Sequence, residues 1–378
     1  MKPIYLDNAA TTPMHPEVVK VMQQSMIDNF GNPSSTHQFG RKAKSAIETA
    51  RKSIAKHFNV SASEIIFTSS GTEADNLILF NAVTNLKVER IVTSCIEHHA
   101  VLHTVEHLQK EYNIEVVYVN INEFGSVDLH HLEQVLSGSD QKTLVSLMMI
   151  NNEIGNILPV DEVCDICDKY NVLFHSDTVQ AIGHYQIDLQ KTPIDFIAAS
   201  AHKFHGPKGI GFAYFKKGFG VKPMLYGGEQ EKGARSSTEN VHAILGMQKA
   251  LEIIYNTLKD DQVYIASLKR YFVDELTNKT KGIQFNGLSS NLEKSTYTIV
   301  NARLPIINNM VLFNLDLAGI AVSGGSACQS GSNKGSHVLT AFLNEEEAKK
   351  ASVRFSFSKF TNKAEIDTAV QKLKTLIP

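Results

Sequence analysis

The sequence is poor in the features that mark secreted, membrane-spanning or nucleic-acid-binding proteins. Four cysteines in 378 residues are too few for a disulfide scaffold, and the N-terminus lacks the apolar core of a signal peptide. No apolar run approaches the roughly 20 residues that span a bilayer. The formal net charge of −2 offers no electrostatic attraction to nucleic acid or to an anionic membrane. We therefore expect a cytoplasmic protein that binds neither directly.

The composition that is present is that of an ordinary globular protein. Hydrophobic residues make up 43% of the chain and charged residues 20%, which argues against disorder. A chain of 378 residues is long enough for two domains, or for one large core with a smaller appendage. No internal repeat, low-complexity segment or proline-rich linker marks the boundary between them.

Strand-like and helix-like patterns alternate through the first half of the chain. Strands are predicted at 63–68, 90–93, 114–119, 144–150, 172–177 and 196–199, and helices at 41–58, 100–110 and 161–170. This alternation predicts an α/β fold, a mostly parallel sheet with helices on both faces. A long helical pattern from Val241 toward Thr277 then leads to a smaller α+β part. We predict a large domain over residues 14–255 and a small domain formed by residues 1–13 and 256–378.

Lys203 lies in a glycine- and proline-rich turn between two apolar, strand-like runs. The turn reads Ser200-Ala201-His202-Lys203-Phe204-His205-Gly206-Pro207-Lys208-Gly209. In α/β proteins the end of a strand is where the chemistry is placed, so a lysine beside histidines suggests a reactive amine. A phosphate-binding basic loop or a solvated lysine would give the same pattern, and the turn alone does not separate these possibilities.

Other predicted strand ends carry polar residues that would meet Lys203 in one crevice. These are Glu97-His98-His99, Asn151-Asn152-Glu153 and Asp177-Thr178-Val179-Gln180, while Ser69-Ser70-Gly71-Thr72 opens a helix whose N–H groups suit a phosphate. This set matches the needs of pyridoxal phosphate: Lys203 would hold the aldehyde as a Schiff base, and Asp177 would pair with the pyridinium nitrogen. Asp177 could instead cap the following turn. Glu153 is interpreted as structural.

Four motifs of the chain together resemble one enzyme family. They are Ser200–Gly211, His175-Ser176-Asp177-Thr178-Val179-Gln180-Ala181, Asn151-Asn152-Glu153-Ile154-Gly155 and Gly325-Ser326-Ala327-Cys328. In this order they resemble the bacterial cysteine desulfurases, which belong to the class V aminotransferases and have the fold-type I architecture of pyridoxal-phosphate enzymes. The resemblance extends from Leu6 to Ser356, nearly the whole chain.

The resemblance implies a role for each residue at a matching position. The cofactor phosphate would be held by Gly71, Thr72, Ser200 and His202. His98 would stack on the ring and move protons, and Asn152 and Gln180 would approach the ring hydroxyl. Asn152 and Arg354 would bind the substrate, since a planar guanidinium suits a carboxylate. Thr238, in the segment 233–238, would reach the phosphate of the neighbouring subunit, which implies a homodimer.

Cys328 is the residue that separates desulfurases from other class V enzymes. It lies in a small, polar, glycine-rich stretch over 323–336, whereas a structural cysteine prefers an apolar, periodic context. The resemblance implies that Cys328 attacks the sulfur of L-cysteine, giving alanine and an enzyme persulfide. The sulfur would pass to an acceptor protein for iron–sulfur assembly or tRNA thiolation. A free thiol has a pKa of about 8.5, so the site must favour the thiolate of Cys328 over the thiol. His98 is the candidate for removing the thiol proton.

Alternatives and departures from the family pattern accompany this interpretation. A selenocysteine lyase or another class V aminotransferase activity is the alternative enzyme, and an inert sulfur-transfer partner is the alternative outside enzymes. An aminotransferase needs no nucleophilic cysteine, and an inert partner would lack Lys203 or Asp177. His99 stands where many relatives have lysine, Thr178 where alanine is common, and Gly335 where proline is frequent.

Two further clusters resemble functional sites but have simpler explanations. Cys164 and Cys167 have redox-like spacing, but they lie in a helical pattern that favours a buried helix face. His99, His103 and His107 are spaced four residues apart, as on one helix face. No carboxylate or cysteine completes a metal site there, so we expect a solvated face and no bound metal.

Overall fold

Strands and helices alternate along the computed structural model, which describes residues 3–325 and 335–377. The strands are β1 (Ile4–Tyr5), β2 (Ile65–Thr68), β3 (Arg90–Ser94), β4 (Glu115–Val119), β5 (Thr143–Ser146), β6 (Leu173–Asp177), β7 (Phe196–Ser200), β8 (Gly211–Phe215), β9 (Gln284–Phe285), β10 (Ile299–Arg303), β11 (Ile320–Ala321) and β12 (Ser352–Ser356). The helices are α1 (Pro16–Asp28), α2 (Gln38–His57), α3 (Gly71–Thr84), α4 (His99–Tyr112), α5 (Leu129–Ser137), α6 (Val160–Lys169), α7 (Val241–Lys279), α8 (Val311–Leu317), α9 (His337–Thr340), α10 (Glu345–Ala348) and α11 (Lys363–Leu376).

Seven of the described strands form the main sheet, in the order β2-β8-β7-β6-β5-β3-β4. Neighbours from β4 to β7 pair in parallel, while β8 runs antiparallel to β2 and β7. Every residue of β3, β5 and β7 is buried. Burial on both faces explains why these strands are continuous apolar runs instead of alternating ones. The prediction of a mostly parallel sheet is confirmed.

Helices cover both faces of this sheet. One core packs the sheet against α1, α2 and α7, through residues such as Val18, Ile54 and Met247. The other packs it against α3 and α4, through Ile78 and Val105. Since helices occupy both faces, the polar strand ends are left to open at the edge of the sheet.

The carboxyl ends of β6 and β7 lie side by side at that edge. The register pairs Asp177, the last residue of β6, with Ala198 of β7. Ser200 ends β7 opposite Gly211, where an added Cβ would lie 2.2 Å from the carbonyl oxygen of Ala199. Only glycine therefore fits where the chain returns from the turn that carries Lys203.

A second, smaller unit follows the long helix α7. An antiparallel sheet in the order β12-β10-β9 packs on α7, where Phe272 contacts Phe355 and Phe357 with ring centroids 4.7 and 5.3 Å apart. Leu6, beside β1, is buried in the same core. On α7, Leu258 belongs to the core of the main sheet and Ile265 to that of the smaller unit. The division into residues 14–255 and residues 1–13 with 256–378 stays a prediction. None of the described helices is long and apolar enough to cross a membrane.

Candidate active site

A cavity of about 180 Å³ opens at the carboxyl ends of β6 and β7. It is lined by Ala9, Ala10, Ser70, Gly71, Thr72, Asp75, His98, Met148, Asn152, Asp177, Val179, Gln180, Ser200, His202, Lys203 and Arg354. The structure thus brings together every predicted site residue except two. Thr238 is exposed and does not line the cavity of its own chain, and Cys328 lies outside the described residues.

Lys203 reaches the cavity from a single helical turn, Ala201–Lys203, that directly follows β7. Its Nζ donates hydrogen bonds to the carbonyl oxygens of Ala9 at 2.7 Å and Ala10 at 2.8 Å. These acceptors belong to the loop after β1, so a segment from the start of the chain fixes the position of the amine. Both acceptors are neutral carbonyl oxygens.

Asp177 places a buried carboxylate at the floor of the cavity. The backbone N–H of Val179 donates to its Oδ1 at 2.9 Å. Burial raises the pKa of Asp177 to about 6, although that hydrogen bond and the positive charge of Lys203 act in the opposite direction. A nearby cation stabilises the ionised form of a buried carboxyl group. The protonated nitrogen of a pyridine ring would be such a cation.

Asp75 is a second buried carboxyl group on the cavity, and the sequence interpretation missed it. Burial and repulsion from Asp177 and Glu97 raise its pKa well above the usual range. Nε2 of His175 lies 3.4 Å from its Oδ1, while Nδ1 of His175 is hydrogen-bonded to Ser146 Oγ at 2.9 Å. Burial lowers the pKa of His175 to about 3, so this imidazole is neutral. The spacing could have revealed Asp75, because it follows Gly71 by four residues and shares its helix face.

The N-terminus of α3 also lines the cavity. Ser70 caps the helix, because its Oγ accepts a hydrogen bond from the N–H of Glu73 at 3.2 Å. Gly71 and Thr72 belong to the first turn of the helix, whose N–H groups have no acceptor within the helix. A Cβ at Gly71 would lie 2.5 Å from Val179 Cγ2, so a side chain has no room there. Such a turn attracts anions through its N–H groups and the helix dipole.

His202 and Ser200 add polar side chains near this anion-suited end. Nδ1 of His202 is hydrogen-bonded to Thr11 Oγ1 at 3.1 Å. Burial and the charges of Lys203 and Lys208 lower the pKa of His202 to about 4, so it is a neutral hydrogen-bonding group. Hydrogen-bond donors suited to a phosphate and a buried carboxylate suited to a pyridinium nitrogen line the same cavity, so the residues present fit pyridoxal phosphate.

His98 is the N-cap of α4 and its ring lines the cavity. Its Nδ1 accepts the backbone N–H of Ala100 at 3.1 Å. Burial, the charge of Lys203 and neighbouring histidines lower the pKa of His98 to about 4. A neutral ring that accepts through Nδ1 carries its proton on Nε2. His98 therefore has its N–H donor at Nε2, and this tautomer follows from the hydrogen bond that Nδ1 accepts from Ala100.

Arg354, on β12, carries a buried guanidinium to the cavity from the smaller unit. Nη1 donates to the carbonyl oxygen of Asn152 at 2.8 Å, and Nη2 to Asp7 Oδ1 at 3.0 Å. Its Nε has no hydrogen-bond partner within residues 3–325 and 335–377. Asn152 and Asp7 thus fix the orientation of the guanidinium at the wall of the cavity.

The pair of cysteines and the group of histidines singled out in the sequence lie on α6 and at α4. Cys164 and Cys167 are buried on α6, and burial raises the pKa of both thiols. His103 and His107 are exposed on α4, whereas His99 packs against the rings of His103 and His337. Within the described part of the chain, no group of three or more histidine, cysteine or acidic side chains could hold a metal.

Glu97, beside His98, gives the first testable consequence of this electrostatic arrangement. Its Oε1 accepts hydrogen bonds from Ser94 Oγ and the N–H of Met148, yet burial and Asp177 raise its pKa from 4.5 to about 8. Between these values the folded chain keeps a proton that the unfolded chain has released. Stability should therefore fall as pH rises through this window, by at most about 1.4 kcal/mol per pH unit.

A Glu97→Gln variant cannot titrate but keeps an oxygen acceptor for Ser94 and Met148. We expect its melting temperature, measured on the cofactor-free protein from about pH 5 to about pH 8, to fall less steeply than that of the wild type. Parallel curves for the two proteins would contradict the raised pKa.

Comparison with known proteins gives one consistent result. The aminotransferase class-V family model matches residues 4–369. "Cysteine desulfurase IscS" of Dictyoglomus turgidum is 38% identical, with 99% of this chain and 96% of that protein covered. "Cysteine desulfurase IscS" of Methanosarcina thermophila is also 38% identical, with 100% and 94% covered. A solved structure described as a NifS-like protein is 34% identical, covers 99% of both chains and gives a TM-score of 0.90.

Proposed function

Because this chain belongs to the class-V aminotransferase family, we infer that it is a cysteine desulfurase of fold-type I, dependent on pyridoxal 5′-phosphate. The observation that carries this inference is a single cavity shared by Lys203, Asp177, the N-terminus of α3 and Arg354. An amine, a buried carboxylate, an anion site and a guanidinium together match a phosphorylated aldehyde cofactor and an amino-acid substrate.

We propose that each end of the cavity holds one part of the cofactor. Gly71 and Thr72 would hold the phosphate with Ser200 and His202, and Asp177 would pair with the ring nitrogen. Asn152 and Gln180 would approach the ring hydroxyl, and His98 would lie against the ring. Lys203 would hold the aldehyde carbon. When bound, the cofactor supplies an electron-withdrawing ring that stabilises negative charge at the substrate Cα.

The chain's own groups then account for substrate binding and proton movement. The guanidinium of Arg354, which lines the cavity next to Asn152, would bind the substrate carboxylate, and Asp7 would keep the guanidinium oriented. The amine of Lys203, once released from the cofactor, would accept the Cα proton. His98, whose Nε2 carries a proton, would donate that proton to the carbon from which the sulfur departs.

We propose that Cys328 takes the sulfur. Its thiolate attacks the sulfur of L-cysteine, the bond between that sulfur and Cβ breaks, and the electron pair leaves with the carbon, which gains a proton. The products are alanine and a persulfide on Cys328. The persulfide then passes to an acceptor protein, for which the resemblance implies iron–sulfur assembly or tRNA thiolation, and capture with isotope-labelled cysteine would identify that acceptor.

We also propose a homodimer in which Thr238 completes the phosphate site of the neighbouring subunit. Thr238 is exposed and lies outside its own cavity, although the remaining predicted phosphate contacts all line it. The segment before it exposes Leu225 and Tyr226, the latter by 89%.

One experiment tests both the activity and the assembly. The purified holoenzyme is separated by size, and each fraction is given L-cysteine and a thiol reductant. We expect alanine and sulfide in equal amounts, from a species with twice the mass of one chain. A keto acid in place of alanine would indicate an aminotransferase. Much faster turnover of selenocysteine than of cysteine would indicate a selenocysteine lyase. Activity from a monomer would contradict the shared site.

A further inference from the structure

The buried side chain of Glu153 contacts the chain after Cys328 and lies close to the chain before it. Ser336, which follows the undescribed stretch 326–334, donates a hydrogen bond from its Oγ to Glu153 Oε2. Gly325, which precedes that stretch, lies so near that a Cβ added there would be 3.3 Å from the same oxygen. The two described flanks of the cysteine-bearing stretch therefore converge on one carboxylate oxygen.

The backbone of Glu153 is itself firmly held. Oδ1 of Asn151 accepts the N–H of Glu153 at 2.9 Å and that of Ile154 at 3.0 Å. Nδ2 of Asn301, on β10 of the smaller unit, donates to the carbonyl oxygen of Glu153 at 3.0 Å. Glu153 is thus supported from both units, and its side chain, with 0% exposure, has little freedom to move.

This anchor adjoins the residues assigned to the substrate. Asn152, the preceding residue, lines the cavity, and its carbonyl oxygen orients Arg354. Ser323, two residues before Gly325, exchanges two backbone hydrogen bonds with Arg354, at 3.3 and 2.6 Å. The flank before Cys328 is therefore hydrogen-bonded to the strand that carries Arg354, and both described flanks lie next to Glu153, which directly follows Asn152.

We propose that Glu153 is a positioning residue for the sulfur-transfer step. It pins the described flanks of the stretch that carries Cys328 to a fixed point beside the substrate subsite. This proposal rests on the proposed function of Cys328, since Glu153 acts through that thiol and does not touch the reacting atoms. A misplacement of about 1 Å at a reacting centre can cost about 100-fold in rate.

The test compares Glu153→Ala with Glu153→Gln, which keeps an oxygen acceptor for Ser336. In the holoenzyme, we expect the alanine variant to lower kcat by about 10- to 100-fold. Its KM for cysteine and the change in cofactor absorbance on adding cysteine should stay as in the wild type. The glutamine variant should stay near the wild-type rate. Adding Ser336→Ala to Glu153→Ala should cause little further loss of kcat, because both remove one shared contact.

A second readout does not depend on turnover. In the cofactor-free protein, hydrogen exchange of the amides over 335–340 should become faster in Glu153→Ala, while that of β3 should not change. Unchanged kcat and unchanged exchange would overturn the proposal, as would a parallel loss of cofactor absorbance, which would make Glu153 a general support of the cavity. If the wild type yields no alanine from cysteine, the proposed function fails, but the exchange experiment still reports whether Glu153 pins the flanks.

Discussion

Replacing Cys328 by alanine should abolish the release of sulfur from cysteine while leaving the cofactor in place. The cofactor contacts proposed here within one chain come from the N-terminal ends of α3 and α4, from β6 and β7, from the loops after β5 and β6, and from the turn that carries Lys203, none of which includes residue 328. The variant should therefore retain the visible absorbance of the holoenzyme and its change on adding cysteine. Without a thiol to accept it, the sulfur has no route off the substrate, so we expect a loss of at least about 1,000-fold.

The matched control for this variant is Cys164→Ala. Cys164 is a buried thiol on α6 that does not line the cavity, so its removal should cost some stability but no sulfur transfer. Both variants are assayed for sulfide under a reductant and for alanine. Wild-type sulfide production by Cys328→Ala would show that another group accepts the sulfur, and the mechanism would then be wrong.

Replacing Lys203 by alanine should remove activity at an earlier step. This lysine is assigned two tasks, holding the cofactor's aldehyde carbon and accepting the Cα proton. Loss of a general base alone lowers the reaction rate by about 100- to 10,000-fold, and loss of the covalent attachment of the cofactor lowers it further. We expect no detectable alanine, together with a cofactor that gel filtration separates from the protein, whereas wild type should keep it.

Lys208→Ala is the control because it removes a positive charge from the same turn. Lys208 is exposed and lies outside the cavity, so its loss should leave cofactor retention and kcat near the wild-type values. If Lys203→Ala keeps both the attached cofactor and its activity, the assignment of the reactive amine fails. Equal losses in both variants would indicate that the turn acts through its charge, which is the phosphate-binding alternative considered for this sequence.

The sequence predicted which polar residues lie together where strands end at one edge of the sheet. Parallel strands deliver their carboxyl ends to one edge, so polar residues after separate apolar runs, such as Asp177 and Lys203, could be placed together without knowing any contact. Helix boundaries were also close: the pattern from Val241 toward Thr277 is α7, Val241–Lys279. The strand predicted over 144–150 is shorter, since β5 ends at Ser146. Beyond it, Leu147 and Met149 still donate backbone hydrogen bonds to β6, which explains why the apolar run continues.

Contacts between distant parts of the chain could not be predicted in this way. The interpretation of Glu153 as structural did not reveal its contact with Ser336, which lies 183 residues later. The pair formed by Arg354 and Asp7 spans 347 residues. The pattern of a single strand or helix reports which face is buried, but not which partner will cover it. Such pairings are set by how the smaller unit packs against the main sheet, which local periodicity does not encode.

The chemical state of His98 is a further property that only the three-dimensional arrangement supplies. Its proton is placed on Nε2 by one hydrogen bond from the backbone of Ala100, and its low pKa comes from burial next to Lys203. A residue's neighbours in sequence do not determine these influences. The resemblance implies a proton-transfer role for His98, and the structure adds that its imidazole is neutral with the proton on Nε2.

The central claim is that Cys328 receives the sulfur atom of cysteine. The most direct measurement is mass spectrometry of the peptide that contains Cys328, after one turnover of the holoenzyme with L-cysteine and without a reductant. The account predicts that this peptide gains the mass of one sulfur atom, that a thiol reductant removes it, and that an equal amount of alanine has formed. Alanine formed in that amount with no sulfur on the Cys328 peptide would contradict it.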